Sequence, residues 1–541
     1  MADERSLICI APARVPDVRS EGNSEATVST LACSQAVTFL GLVLTLCLSS
    51  AYSPLFAQGT SQSTPSTVAA QVPLSGRGGS PGAVSTTQSV TALGGSSVNI
   101  ISGSVNVSGQ YSGSVPDSSA VLTNFSLTLD DAIRLGLRNN LGSITEANGV
   151  LQARGQRLVA RSSVLPNVSS SLGESLQKIN LAAEGLRSPM IPAVVTFNYL
   201  DGRIIKLNQS IVDLVAIRNL HSANHSFHAA QDSARDARDL VVLAVAGSYL
   251  QIVTTQARVV AVAALVESER AVYQQSSDQF KSGVAVLVDV TRTQVQYQTD
   301  VQLLRSETAD VEKQKLNLGR IIGLPLGSSL SVTDEFPYVP LQDLTVEASL
   351  KRAVAARADL QAAKSSEQAA QSALGAAHAE YLPNVTFTGD YGFIGTNPSQ
   401  AISTYTLTGS INIPIFQGGR VQGDTAQAHA ALNQRRAELQ DTLGSIDHDV
   451  RTAFIDLNSA ADQVVVAESN VSLSHQTLKQ SRDRFAAGIT TSVEVVQSEQ
   501  AVAQADADYI SAVYEHNLAK ITLSRAMGQT ESNLRQFLKG K

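Results

Sequence analysis

One short stretch of the chain occurs twice, and it constrains the fold more than any other feature. Residues 278–291 read DQFKSGVAVLVDVT, and residues 483–496, which lie 205 positions later, read DRFAAGITTSVEVV. Each copy holds one central glycine, Gly283 or Gly488, and joins two long proline-free runs. A short turn between two long helical runs is the tip of a helical hairpin. The sequence therefore predicts two copies of one hairpin unit.

Two further landmarks extend the duplication over most of the chain. Residues 165–168 and 382–385 both read LPNV at a separation of 217 residues. The separation falls to 200 at residues 209–211 and 409–411, so the first half contains an insertion of about 17 residues between these landmarks. Repetition of this kind overrides the three or four domains that the length alone would suggest.

Landmarks and composition together divide the chain into six predicted segments. They are a signal segment with an extended N-region (1–57), a flexible lead-in (58–124), a first repeat (125–323), a connecting segment (324–343), a second repeat (344–528) and a C-terminal tail (529–541).

The first two segments are assigned from composition. Residues 36–57 form an apolar run that ends in small residues, which is typical of a secretory signal, and we expect cleavage after Ala57. A membrane anchor is the alternative, because the 35-residue segment before the run is longer than the usual N-region of a signal peptide and is not basic. Residues 58–124 are rich in Ser, Thr and Gly and have too little apolar surface to offset their ordering entropy, so we expect them to be flexible.

The arms of both hairpins have the spacing of packed helices. Apolar residues from Leu443 to Leu478, and again from Leu243 to Ala264, follow steps of three and four. A sustained seven-residue repeat indicates coiled-coil packing. The absence of proline between Pro192 and Pro325 allows one very long helix from about Asp213 to Phe280. A cytoplasmic coiled-coil rod would share these features.

A period of two appears between the helical runs of each half. Residues 385–393 and 405–413 alternate apolar with small polar side chains, and residues 167–176 and 203–211 do so more weakly. Alternation over about 9–11 residues is typical of transmembrane β-strands, although a soluble hairpin would also show it. Because an open sheet edge is not tolerated in hydrocarbon, four spanning strands would need two or more chains to close a barrel.

Composition and motifs exclude several other functions. A net charge of −7 gives no reason to expect nucleic acid as a partner. We find no nucleophile–base–acid set, phosphate-binding loop or dinucleotide motif, so we expect neither an enzyme nor a cofactor. His221, His225 and His228 share one helical face at a spacing that could hold zinc or copper, but we favour a solvated histidine patch without metal.

From Leu127 to Gly528 the sequence resembles the TolC family of outer-membrane efflux channels. The resemblance rests on the tandem repeat, the paired LPNV segments, both tips and residues 413–420, which read IPIFQGGR. It implies a mainly α fold with a pair of β-hairpins per chain, in which a long coiled-coil α-helical barrel joins a trimeric 12-stranded transmembrane β-barrel. It also implies a homotrimer in outer-membrane lipid, extending into the periplasm, with a periplasmic membrane-fusion adaptor and an inner-membrane pump as partners.

The resemblance assigns gating residues to the tips. Glu494 and Gln497 occupy two positions that are acidic in the family, so the carboxylate ring expected at the pore constriction is reduced here. Asp289 matches the acidic residue of the first tip, and Thr490 stands where its basic partner is expected. Candidates for the missing base are Lys281 and Arg484. Ordinary solvated helix charge is the alternative for both acids, since the first turn of a helix favours them.

The same resemblance assigns docking and transition residues. The tip residues that it implies for docking the adaptor are Gly283, Val284, Gly488 and Ile489. The residues that it implies for the transition from barrel to helix are Pro414, Gly418 and Gly419.

These observations together predict an outer-membrane exit duct of a tripartite efflux or type I secretion system. Such a duct conducts substrates passively and performs no chemistry on them. The alternative is a structural or adhesive coiled-coil protein of the envelope without a conducting pore. The sequence does not indicate the substrate.

Overall fold

The computed structural model describes residues 83–91, 100–116, 125–183, 185, 189–190, 192–325, 327–341, 344–487, 489–531 and 537–538. All of them belong to one unit, Arg77–Lys541. The predicted signal segment and Gly488 lie outside the described residues.

The two repeats have the same order of elements: two short helices, two strands and two long helices. Three strands precede the first of these helices, namely β1 (Val84–Thr91), β2 (Ile100–Val107) and β3 (Phe125–Leu127). The first repeat then contains α1 (Leu129–Asn139), α2 (Leu141–Ser162), β4 (Asn167–Asn180), β5 (Val194–Val212), α3 (Leu214–Lys281) and α4 (Leu287–Ile322). After β6 (Leu330–Val332), the second repeat contains α5 (Val346–Ala356), α6 (Ala358–Ala379), β7 (Asn384–Gly395), β8 (Ile402–Asn412), α7 (Arg420–Ala486) and α8 (Ser492–Ala526).

The long helices form as their spacing predicts. Helix α3 has 68 residues and α7 has 67, which corresponds to about 100 Å each at 1.5 Å per residue. The side chain of Asp213 caps α3 by accepting a hydrogen bond from the Ala216 N–H at 2.9 Å. Helix α3 contains a window long and apolar enough to cross a membrane, but 67% of that window is buried inside the protein, as in a core helix.

The four strands of the repeats form one antiparallel sheet in the order β4-β5-β7-β8. Strands β7 and β8 lie close to their predicted positions. Strands β4 and β5 extend well beyond residues 167–176 and 203–211, because the insertion in the first half lengthens this hairpin. Within the described residues, the outer edges of β4 and β8 have no strand partner.

The register gives the sheet one apolar and one polar face, because side chains directly opposite each other on neighbouring strands share a face. The apolar face carries Val168, Leu172, Ile205, Leu207, Val385, Phe387, Tyr391, Phe393, Tyr405, Leu407 and Ile411. The polar face carries Arg203, which pairs with Asp201 at 2.6 Å and with Asp390, and Lys206, which lies opposite Asp390. The outward apolar side chains are mostly exposed in the single chain, as at Tyr405 (75%).

Part of the predicted lead-in is ordered, so the expectation that residues 58–124 are flexible is wrong for its described residues. Strands β1 and β2 pair as an antiparallel hairpin. Val105 packs on Gly247 of α3 so closely that a Cβ at Gly247 would clash with its side chain. The Gly103 N–H donates a hydrogen bond to Glu515 of α8 at 2.5 Å. Val84, Val105 and Val107 of the hairpin pack against the apolar core, which supplies the burial that composition alone did not predict.

The main core lies where both repeats meet this hairpin and the parallel pair β3–β6. Helix α3 is buried on all sides from Val241 to Gly247. The predicted connecting segment contributes β6 and Phe336, and the predicted C-terminal tail contributes Leu538 to the same core. A second core in the later repeat surrounds Ile446 and Val450 of α7.

Candidate gate at the helical tips

The first tip is a tight turn between α3 and α4. The Ser282 N–H bonds to the Asp278 carbonyl at 3.0 Å, and Gly283 follows in the left-handed conformation with φ +76°. A side chain at Gly283 would be strained there, which explains why glycine stands at this position. The turn leaves Val284 79% exposed at the end of the hairpin. Lys281 pairs with Asp278 at 3.0 Å inside this tip, so it is not the partner of Asp289.

The second tip joins α7 to α8 through residues 487–491, of which Gly488 is not described. The Ile489 N–H bonds to the Arg484 carbonyl at 2.9 Å, and the Ile489 side chain is 71% exposed. Both docking residues whose side chains are described, Val284 and Ile489, therefore present apolar surface at the ends of the hairpins. Their docking role stays a prediction.

Glu494 lies in the first turn of α8 and is held by three donors from its own repeat. Arg484 pairs with its Oε1 at 3.0 Å, Thr490 donates to its Oε2, and Ser481 donates to Oε1 at 3.4 Å. The Glu494 side chain is 35% exposed, so the carboxylate still reaches solvent. Gln497, at the second position of the expected acidic pair, is exposed.

Asp289 instead connects the two tips. Ser492 at the start of α8 donates to its Oδ1 at 2.9 Å, and Arg292 of its own helix approaches the same oxygen at 3.3 Å. Thr490, which stands at the place of the basic partner, contacts Glu494, and Arg484, a candidate partner for Asp289, pairs with Glu494 as well. The reason is the position of Thr490, one turn before Glu494. The role of Ser492 had no signal in the sequence, because its partner is 203 residues away.

An apolar layer supports these polar contacts. Val272 of α3, Leu478 of α7 and Val495 and Val502 of α8 form one buried cluster, with Phe485 packed against it. Phe485 belongs to the repeated stretch, and its equivalent in the first tip, Phe280, is 42% exposed. The second tip is therefore packed against the body of the hairpins more closely than the first.

The transition from strand to helix lies between Asn412 and Arg420. Gly418 and Gly419 both have left-handed backbone, with φ of +60° and +86°, and Gly419 is the N-cap of α7. The segment from Pro414 to Gly419 thus turns the chain from β8 into α7 without a Cβ at the two positions that need positive φ. Phe416 is 88% exposed beside this turn.

The three histidines lie on α3, beside the sheet. Partial burial and the neighbouring His228 and His221 lower the pKa of His225. Phe227 lies between them in the sequence, and Arg157 of α2 stacks over its ring at 4.5 Å. Among the described residues no group of three or more His, Cys, Asp or Glu side chains is placed to hold a metal ion.

Comparison with known proteins gives consistent matches. The model of the outer membrane efflux protein family matches residues 145–324 and 349–529, one segment in each repeat. The outer membrane protein TolC of Vibrio cholerae is 22% identical over 382 residues, covering 68% of this chain and 83% of that protein. The alkaline protease secretion protein AprF of Pseudomonas aeruginosa is 22% identical over 408 residues, covering 72% and 84%.

A solved structure supports the same fold. The outer-membrane channel OprN superposes with a TM-score of 0.66 at 19% identity, covering 74% of this chain and 90% of that chain. Because the superposition covers most of both chains, the fold is that of an outer-membrane channel.

Proposed function

The chain belongs to the outer membrane efflux protein family, and we propose that it is the exit duct of a tripartite efflux or type I secretion system. It conducts substrates passively across the outer membrane from a periplasmic adaptor and an inner-membrane pump. One observation carries the proposal. A single chain joins a sheet with one apolar and one polar face to helices of 68 and 67 residues, long enough to extend far from the membrane.

The unpaired sheet edges support a homotrimer. In hydrocarbon the edges of β4 and β8 need a partner strand, because backbone groups find no water there. When β8 of one copy pairs with β4 of the next, three copies of four strands give a 12-stranded barrel. Its apolar face meets lipid, and Arg203, Lys206 and Asp390 line the aqueous interior. On the lipid face a basic side chain at mid-membrane would cost about 2–4 kcal/mol.

The tips support docking and gating at the periplasmic end. Val284 and Ile489 are exposed and apolar, which suits contact with the adaptor, and Gly283 and Gly488 allow the turns that present them. Around the threefold axis, three copies of Glu494 form the carboxylate ring of the pore constriction, with Gln497, Asp289 and Thr490 beside it. The ring is held in place by the Arg484 contact at 3.0 Å.

The cargo follows from the partner pump rather than from this chain. The name of AprF assigns that protein to protease secretion, whereas the family is described by efflux, and both cargo classes suit a passive duct. We propose no chemical step on the substrate.

Reconstitution in planar lipid bilayers tests the proposal. The purified protein should conduct ions, and light scattering in detergent should give the mass of a trimer. A series of single cysteines along β4 and β8 should form disulfides between copies when a β4 variant is mixed with a β8 variant. A protein that neither conducts nor crosslinks at these edges, even with altered tips, would instead be a structural or adhesive coiled-coil protein of the envelope.

A further inference from the structure

A layer of buried acidic residues on three of the four long helices lies a few turns from the tips. Glu269 of α3 is fully buried, Glu499 of α8 is 1% exposed and Asp300 of α4 is 4% exposed. Arg482 of α7 is the one basic side chain that contacts this layer among the described residues, and it pairs with Glu499 at 2.5 Å. Three buried carboxyl groups thus lie near one guanidinium, which pairs with Glu499 alone of the three and is itself 46% exposed.

The partners of these groups are unequal. Glu499 Oε1 accepts hydrogen bonds from Arg482 and, at 2.8 Å, from Ser268 of α3. Asp300 accepts from Gln296 at 3.0 Å. Among the described residues no donor reaches either carboxyl oxygen of Glu269 or the Oε2 of Glu499. Glu269 directly follows Ser268, which contacts Glu499, so the two buried carboxyl groups face each other across the contact between α3 and α8. Two ionised carboxylates repel and cannot hydrogen-bond to each other.

We propose that Glu269 and Glu499 share one proton across the contact between α3 and α8, and that loss of this proton separates the two hairpins near the tips. The shared proton turns a repulsive pair into a hydrogen bond that joins the first repeat to the second. Without it, the layer carries three negative charges and one positive charge in a low-dielectric setting, where buried charge is costly.

The surroundings of Glu269 set the direction of the pH effect. Burial, the hydrogen bond to Glu499 and the negative charges of Glu499 on α8 and Asp300 on α4 raise the pKa of Glu269 to about 9, while Arg482 on α7 lowers it. Burial also raises the pKa of Asp300. The other charged groups next to Glu269 on its own helix, Glu267 and Arg270, are mostly exposed.

The sign follows from comparing joined and separated hairpins. In separated hairpins Glu269 meets water, and its pKa returns toward the ordinary value for a glutamic acid. The joined state therefore binds the proton more tightly. Its stability is fully present below the ordinary pKa and is lost as the pH rises through about 9. Alkaline pH thus separates the tips and opens the end of the tunnel.

Two measurements on the full-length protein test the device. In bilayers, the open probability should rise at least about tenfold between pH of about 7 and about 10, since one pKa unit is a tenfold change in an equilibrium. Spin labels on Val284→Cys and Ile489→Cys, with the three native cysteines replaced by serine, should show a longer distance between the tips over the same range. The first measurement depends on the proposed function, whereas the second does not.

Four variants separate the shared proton from a merely structural role. Glu269→Gln supplies a permanent amide donor to Glu499, so both responses to pH should disappear. If this variant fails to fold, Glu269→Met, which also removes the titrating group, should abolish both responses as well. Arg482→Gln removes the charge that lowers the pKa of Glu269, so the midpoint should move to higher pH. Glu267→Gln, an exposed acid on the same helix, should behave as the wild type.

The outcomes are distinguishable. A wild-type response to pH that persists in Glu269→Gln and Glu269→Met, or a midpoint that does not rise in Arg482→Gln, would overturn the shared proton. A protein that forms no channel but still changes its spin-label distance with pH would refute the proposed function and leave this inference standing.

Discussion

The two repeats solve one structural problem with different chemistry. In each repeat, one non-helical residue separates the two short helices, and the chain at this point packs against the glycine that ends the second long helix. In the first repeat this residue is Asn140, and Gly323 ends α4 with φ +79°; in the second it is Arg357, and Gly528 follows α8 with φ +71°. The backbone geometry is shared, but the buried side chain is neutral in one joint and charged in the other.

The hydrogen bonds show how each side chain fits. Asn140 donates to the carbonyls of Tyr111 at 2.7 Å and Ile321 at 3.1 Å, and it accepts from the Gly142 N–H at 2.9 Å. The neutral joint therefore satisfies backbone groups left over at helix ends.

The charged joint uses ion pairs instead. Arg357 is 6% exposed and pairs with Asp359 at 2.6 Å and Asp449 at 2.9 Å. Burial alone would raise the pKa of Asp359. The hydrogen bond from Arg357 and its positive charge outweigh burial, so this pKa lies below its usual value. The two repeats thus keep the same backbone turns at glycine, while the polar side chains around those turns differ. We expect the second joint to lose more stability than the first when one of its polar partners is removed.

Substitution of the two joint glycines, Gly528 and Gly323, should cause the largest loss of stability. At Gly528 an added Cβ would lie 2.8 Å from the backbone N and Cα of Arg357, which cannot move aside, and its φ is positive as well. We expect Gly528→Ala to destabilise the protein by about 3 kcal/mol or more. Gly323→Ala should also be strongly destabilising, because its φ is positive and an added Cβ would lie 2.6 Å from the Cβ of Asn139, which moves only with the backbone. Melting temperatures in detergent at a fixed protein concentration measure both.

Gly423→Ala is the matched control for the glycine pair. This glycine lies within α7, and a Cβ there would meet nothing within 4 Å. It should be neutral or slightly stabilising. Equal losses of melting temperature at all three positions would contradict the proposal that Gly528 and Gly323 are needed for the geometry of the joints.

Removal of the buried cation should have the next largest effect. Arg357→Met leaves Asp359 and Asp449 without their partner, and we expect a loss of about 3 kcal/mol, since a carboxylate loses its compensating charge in a mostly buried site. Arg352→Met, at an exposed position on α5, is the control and should change the melting temperature little. If Arg357→Met and Arg352→Met have the same melting temperature, the ion pairs do not stabilise the joint.

Substitution in the neutral joint should cause a smaller loss of stability. Asn140→Ala removes the donor to two buried carbonyls, for which we expect about 1–2 kcal/mol. Asn148→Ala, on the exposed side of α2, is its control. A loss in Asn140→Ala as large as that in Arg357→Met would show that charge does not distinguish the two joints.

The smallest effect on stability should come from the tips, where function is the sensitive measurement. Lys281 and Asp278 of the first tip are both more than 70% exposed, so Lys281→Ala should change neither stability nor conductance measurably. In the second tip, Glu494→Gln should reduce cation selectivity, because a charge ring between low-dielectric walls acts strongly on ions in a pore. Arg484→Ala should instead increase cation selectivity, since it frees the carboxylate.

Single-channel reversal potentials in a salt gradient measure this contrast. Unchanged selectivity in both Glu494→Gln and Arg484→Ala would remove Glu494 from the pore. A change in Lys281→Ala as large as in Arg484→Ala would erase the difference between the two tips.

The sequence by itself determined the local structure of this protein. Heptad spacing and the absence of proline predicted α3 and α7, period-two alternation predicted the four strands, and the repeated glycine stretches predicted both tips. These patterns succeed because helix and strand periods, and the backbone freedom of glycine, act over a few neighbouring residues. The resemblance to the TolC family, confirmed by the family match, then followed from their order along the chain.

Only the tertiary structure decided which polar groups meet. Asp289 contacts Ser492 from the other repeat, Arg484 pairs with Glu494 rather than Asp289, and Glu269 faces Glu499 at a separation of 230 residues. The hairpin of β1 and β2 is ordered because it packs on α3 and α8, although its Ser- and Thr-rich composition predicted flexibility. Such contacts depend on which helix faces come together, and no spacing within one segment carries that information.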